Sequence, residues 1–135
     1  MVTHLSTEDE KKMNRKFIAP ASAGGHAEAI EVSNATHILC ISGQTPENED
    51  GSVPETFREQ CRIAWQKIEA RLSAAGMTLE NLTQVRLFLA DRKLAAENRE
   101  LRREVLGHHT PALAVVVAGL LDERWLVEIE ALALA

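Results

Sequence analysis

The chain has 135 residues, 45% of them hydrophobic, and a formal net charge of −5. That is enough apolar material for one domain with its own core, and the acidic balance excludes the basic footprint on which nucleic-acid binding depends. Cys40 and Cys61 form no CxxC pair, which excludes a disulfide framework, and no stretch reads as a signal peptide or a membrane span; a soluble cytoplasmic protein is expected.

Residues 1–16 are polar and mixed in charge, the pattern of a flexible N-terminal arm ahead of one domain over 17–135. "HAEAIEVS" and "THILCIS" are β-branched stretches on either side of Asn34 and Ala35, which predicts a hairpin; His26 and His37 could face each other across it, but partly exposed polar strand positions are the favoured reading. "GQTPENEDGSVP" is a loop by composition. From Glu55 to Ala75 the residues Phe57, Cys61, Ala64, Trp65, Ile68 and Leu72 recur at three-and-four spacing, so an amphipathic helix is predicted, stopped by Gly76. "LTQVRLFLAD" alternates as a strand, Leu94 to Val105 carries a second and more charged helical stripe through Asn98 and Leu101, and "ALAVVVAGL" and "RWLVEIEALALA" read as a buried strand and its successor. The predicted order is ββαβαββ: an α+β domain with a mixed sheet, two helices on one face, and a second face that also needs cover.

Several residues are candidates for chemistry. Glu128 and Glu130, two apart on a strand, leave the same face as Leu126 and Leu132. Burial raises the pKa of such a carboxyl and a nearby arginine lowers it. Arg86 points away from Val85, Leu87 and Leu89, and suits a cross-strand pair with Glu128 or Glu130. Arg124 falls in a turn and is read as solvated, Cys40 and Cys61 as small core residues, and Trp65 as packing on the inner helical stripe. His108 and His109 are adjacent, point opposite ways on an extended chain and have no third ligand at useful spacing, so no metal is expected. "SAGGHAE" lacks the strand-then-helix context of a dinucleotide site, and no cofactor is expected.

Taken in order, "CISGQTP", "GSVPETFREQCRIAWQKIEARLSAAG", "VRLFLAD" and "PALAVVVAGLLDERWLVEIEALA" resemble the reactive intermediate deaminase family, RidA or YjgF, also described as endoribonuclease L-PSP. The resemblance implies a chorismate-mutase-like fold and a homotrimer with small-molecule clefts between subunits. It implies further that Ser42 and Gly43, matching the family's "SG", line the cleft, and that Glu128, the first carboxylate of "EIEA", positions or activates a water that hydrolyses an imine. Asn98 matches a family asparagine across a shorter loop. Two departures stand out. His26 occupies a position where many deaminases have tyrosine, and Leu113 stands where the family's "PAR" strand supplies an arginine that grips a substrate carboxylate.

Glu128 is therefore the candidate catalytic residue, with Ser42, Gly43, Arg86, Leu113 and His26 as candidates for substrate binding. The function implied is hydrolysis of an imine or enamine other than the usual amino-acid-derived, carboxylate-bearing iminium compounds. The alternative is a non-catalytic module of the same fold that binds a small metabolite or serves regulation. Ribonuclease activity follows only from the family's description, since the chain has no basic stripe.

Overall fold

A computed structural model of the chain describes residues 12–19 and 25–135. Its strands are β1 (Asn14–Ile18), β2 (Ala29–Ser33), β3 (Ile38–Gln44), β4 (Leu82–Leu89), β5 (Ala112–Val117) and β6 (Val127–Leu134), and its helices α1 (Phe57–Ala74) and α2 (Ala95–Leu106). A four-stranded sheet in the order β3-β6-β4-β5 forms the body of the domain, and β1 and β2 make a separate antiparallel pair. The parallel β4–β5 pair is joined through α2, as a parallel crossover requires.

The expected elements are present, with one strand more at the front. β1 takes in Asn14–Lys16, which belong to the segment read as an arm; residues 1–11 of that segment lie outside the described residues. "NRKFI" is too polar to announce a strand, yet it runs along β2, its Arg15 Nη2 donates to the Leu134 carbonyl at 2.7 Å, and the Phe17 ring meets the His109 ring edge-on at 6.1 Å. The predicted hairpin between "HAEAIEVS" and "THILCIS" is corrected by the same pairing: β2 pairs with β1 while β3 pairs with β6. Asn34 has the left-handed φ of 60° that suits a turn, but that turn leads from one sheet to the other.

α1 is built as its sequence demands. Thr56 caps it by accepting from the Glu59 amide, and Gly76, at φ 69°, ends it while the Met77 amide reaches back to the Leu72 carbonyl at 2.9 Å. Its inner stripe of Phe57, Cys61, Ala64, Trp65, Ile68 and Leu72 packs with Leu101 and Leu106 of α2 onto Val85, Leu87, Leu89, Val127, Ile129 and Ala133 of the sheet. Both helices thus cover one face, and the Cys61 thiol, sealed in that layer, has its pKa pushed up by burial to about 12. Cys40, expected in the core, is exposed, because the alternation of β3 turns it to the opposite face while Ile41 goes inward. β5 also departs from expectation. It is an edge strand, and its Val115, Val116 and Val117 are all exposed. Among the described residues no helix is long and apolar enough to cross a membrane.

Gln60 joins α1 to two loops. Its side chain is buried, donates to the carbonyls of Pro54 at 2.8 Å and Arg124 at 2.9 Å, and accepts from the Leu126 amide at 2.7 Å. Gln60→Leu keeps the volume and strands three backbone groups, so denaturant unfolding is expected to show a loss of about 2–4 kcal/mol.

Candidate functional site

β6 is paired on both edges, with β3 and with β4, which fixes the direction of every side chain along it. Val127, Ile129 and Ala133 are buried beneath the helices, and Glu128, Glu130 and Leu132 consequently point to the uncovered face of the sheet. The β3–β6 register breaks at one place. Ile41 pairs with Ala131 and Gln44 with Ile129, so Ser42 and Gly43 together stand against Glu130. That is a β-bulge, a device that re-aims a strand locally. It brings the backbone of Gly43 onto the neighbouring carboxylate: a Cβ at position 43 would stand 2.9 Å from Glu128 Cδ and 3.0 Å from Oε1. Only glycine permits that approach.

Arg86 lies across from Glu130 and binds it at 2.5 Å, so of the two pairings open to it the structure selects this one. Arg86 and Glu130, with Cys40, Ser42, Gln84 and Leu132, line a cavity of about 260 Å³ on the uncovered face. Glu128 sits across from Phe88 instead. Its carboxyl is pushed above the ordinary value, first by burial and then by the charge of Glu130. The other turn arginine, Arg124, is exposed and pairs with Asp122 at 2.8 Å, which holds that aspartate down at about 2.

His26 and Leu113 come together elsewhere. Both line a cavity of about 200 Å³ between α2 and β5, with Asn98, Arg99, Arg102 and Val115 among its other walls. His26 is held there because the Ala27 amide donates to the Pro111 carbonyl at 3.2 Å and Ala27 forms a bridge with Ala112. His37 lies apart from it, exposed as expected, and contacts Thr36 Oγ1 at 3.0 Å while its backbone pairs with Ala135. Asn98 is 1% exposed and Arg102 3%. Arg102 escaped notice in the sequence because α2 carries Arg99, Arg102 and Arg103 on a polar background; its one signal is the four-residue spacing from Asn98, which puts both on one side of the helix.

The candidate residues thus fall on two faces of one sheet. Leu113 pairs with Val85 and Glu128 with Phe88, and Val85 and Phe88 point to opposite sides of β4. Among the described residues no group of three histidines, cysteines, aspartates or glutamates gathers as metal ligands would; His109 Nε2 contacts the Leu82 carbonyl at 2.7 Å.

Known proteins share both the order of elements and the sequence. The family sequence model described as endoribonuclease L-PSP matches residues 17–135. A RutC family protein of Pyrococcus horikoshii is 32% identical over 117 residues, covering 85% of this chain and 90% of its own. The HMF1 protein of Saccharomyces cerevisiae is 29% identical over 116 residues, covering 85% and 88%. Among solved structures, YjgF of Escherichia coli has a TM-score of 0.68 at 25% identity over 85% of this chain and 91% of its own. The Rid protein YyfB of Yersinia pestis reaches a TM-score of 0.77 at 23% identity over 90% and 99%, a likeness of fold. The mixed sheet backed on one side by two helices is the YjgF fold. The chain belongs to the RidA/YjgF family.

The contact between Gly43 and Glu128 gives a test by titration. Gly43→Ala forces the carboxyl away toward water, so carbon-detected NMR is expected to show the Glu128 pKa falling back toward the ordinary value of 4.5. The raised pKa of the wild type means that the folded state binds this proton more tightly than the unfolded state. The carboxyl's contribution to stability is therefore most favourable below its unfolded pKa and declines as pH rises through the folded one. Glu128→Gln is accordingly expected to gain stability over wild type at neutral pH, with the gain disappearing below about pH 4.

Proposed function

We propose that this protein hydrolyses a small imine or enamine in clefts formed between three copies of the chain. Glu128 is the general base in this reading. It takes a proton from water as the water oxygen bonds to the C=N carbon and the π electrons pass to nitrogen. Glu128 then returns that proton to the nitrogen; the C–N bond breaks with its electrons going to nitrogen, the adduct's hydroxyl gives up its proton to the carboxylate as the C=O bond forms, and ammonia or an amine leaves a carbonyl compound behind.

The observation that carries the reading is the setting of Glu128. Its carboxyl is lodged against the Gly43 backbone with its pKa raised, while Arg86, on the adjacent strand β4, is committed to Glu130. A carboxylate whose pKa is raised by burial and by a like-charged neighbour is a better proton acceptor than an ordinary one. The sheet supports a multi-copy cleft, since Glu128 and the cavity holding His26 and Leu113 lie on opposite faces and only a neighbouring copy brings one against the other. The exposed Val115, Val116 and Val117 supply apolar surface for such an assembly.

Leu113 bears on the substrate. It offers no charge from β5 to offset the several kcal/mol needed to draw a carboxylate out of water, so the usual amino-acid-derived iminium compounds, gripped from that strand, are poor substrates. Ribonuclease activity, the family's description notwithstanding, is not part of this reading, because a chain of net charge −5 attracts no phosphate backbone. Free thiols at Cys40 and Cys61 support a reducing compartment, and we read this as the cytoplasm.

With an imine generated in situ by an oxidase and carbonyl release followed, Glu128→Gln is expected to lower kcat by roughly a hundredfold or more with little change in KM; an unchanged rate removes Glu128 from the chemistry. Absence of turnover by the wild type, together with thermal stabilisation by a neutral metabolite, supports the binding-module alternative. Sedimentation equilibrium is expected to return three times the 14.9 kDa chain mass, and a monomer at every concentration rules out the inter-copy cleft.

A further inference from the structure

We infer that Lys67 of α1 is a positioning residue for Glu128: its ammonium grips the Thr45 carbonyl and so keeps the bulge at Ser42 and Gly43 lodged against the carboxyl. For its effect on turnover the inference rests on the reading of Glu128 as the general base; the contact it explains stands apart from that reading.

The bulge has little support from the sheet. β3 is an end strand, its partner in that sheet is β6, and the register between them breaks between Ile41 and Gln44. An edge strand with an interrupted ladder is where a chain slips most readily, yet Gly43 stands so close to Glu128 that a Cβ would not fit between them. Three restraints come from outside the ladder. Gln44 Nε2 donates to the Ser42 carbonyl at 2.9 Å and braces the bulge locally. Pro46 is fully buried, and a residue before proline is confined to extended backbone, so Thr45 continues the line of the strand. Lys67 Nζ donates to the Thr45 carbonyl at 2.8 Å, which fastens the exit of β3 to α1.

Lys67 is committed to this contact. Lysine ordinarily stays exposed, but Lys67 is half-buried while Gln66 and Glu69 beside it are exposed, and among the described residues it forms no ion pair. A charged donor makes the bond roughly twice as strong as a neutral one. α1 holds the other side of the site as well. Gln60, about two turns before Lys67 on the same side of the helix, accepts from the Leu126 amide at 2.7 Å. Leu126 stands shortly before Glu128 and Thr45 shortly after Gly43, and β3 and β6 run antiparallel, so both anchors lie at the same end of the strand pair. The helix is a template that fixes bulge and carboxyl relative to each other.

The titratable groups on the strands around Glu128 are Glu130 on β6, Arg86 on β4 and Cys40 on β3; the loop beyond β3 adds Glu47, which accepts from Thr45 Oγ1 at 2.8 Å. Burial first, and then Glu130, raise the Glu128 pKa, so Lys67 acts on it through the backbone and not through its charge. The two routes have opposite signs. Losing a cation that acts through space raises a carboxyl pKa, whereas a released bulge admits water and lowers it.

The test is carbon-detected NMR titration of Glu128 in the full chain, with kcat and KM for an imine generated in situ. In Lys67→Met the Glu128 pKa is expected to fall toward the ordinary 4.5, and the rising limb of the kcat profile to move to lower pH with it. At neutral pH kcat is expected to drop roughly tenfold with little change in KM. Lys67→Arg, which keeps a charged donor, is expected to restore both. Arg62→Met removes an exposed cation from the same helix and should titrate and turn over as wild type. Should Lys67→Met fail to fold, Lys67→Gln, one bond too short for the Thr45 carbonyl, takes its place with the same expectation. An unchanged or raised Glu128 pKa overturns the inference, as does a fall that Arg62→Met reproduces or that Lys67→Arg does not reverse. A lowered pKa with wild-type kcat overturns it too. A wild type that turns over no imine overturns the hydrolytic reading alone, and the titration then decides for or against Lys67 by the same shifts.

Discussion

Both edges of β6 are occupied by hydrogen-bonded neighbours, and the side chains on this strand therefore have no freedom to change face. Burying Val127, Ile129 and Ala133 under the helices obliges Glu128 and Glu130 to stand on the other side, whatever that costs in solvation. Two neighbours then separate the fates of the two carboxylates. Arg86 on β4 neutralises Glu130, and the bulge in β3 presses Gly43 against Glu128. A pair of identical groups two residues apart becomes one structural ion pair and one carboxyl of raised pKa.

Much of this architecture is legible in the sequence where the physics is local. The three-and-four stripe of α1, its glycine stop at Gly76 and the alternation of β4 and β6 all appear where periodicity puts them. What escapes is decided by distant partners. β1 is held by its pairing with β2 and by Arg15 reaching the end of β6, neither of which leaves a mark on "NRKFI". Asn34 carries a turn signal, but a turn does not say whether the strands beside it pair with each other. The apolar run of β5 is compatible with a central or an edge strand, and only the sheet order distinguishes them.

The same limit applies to the site. Family resemblance draws attention to Glu128, Gly43, Leu113 and His26, and the structure joins them pairwise, the first two at the bulge and the last two in the α2–β5 cavity. Neither pairing is encoded in spacing. Arg102 shows why composition alone falls short: among the arginines crowding the end of α2, only tertiary packing selects the one that is buried.

β5 has one further consequence. Among the described residues no strand pairs with its outer edge beyond Ala112, and Val115, Val116 and Val117 flank that edge, a template to which an extended segment can add. In the proposed three-copy assembly, a copy newly released from the ribosome carries that template uncovered until its siblings arrive. A shortage of siblings therefore prolongs the interval in which a stray extended segment can add to this edge.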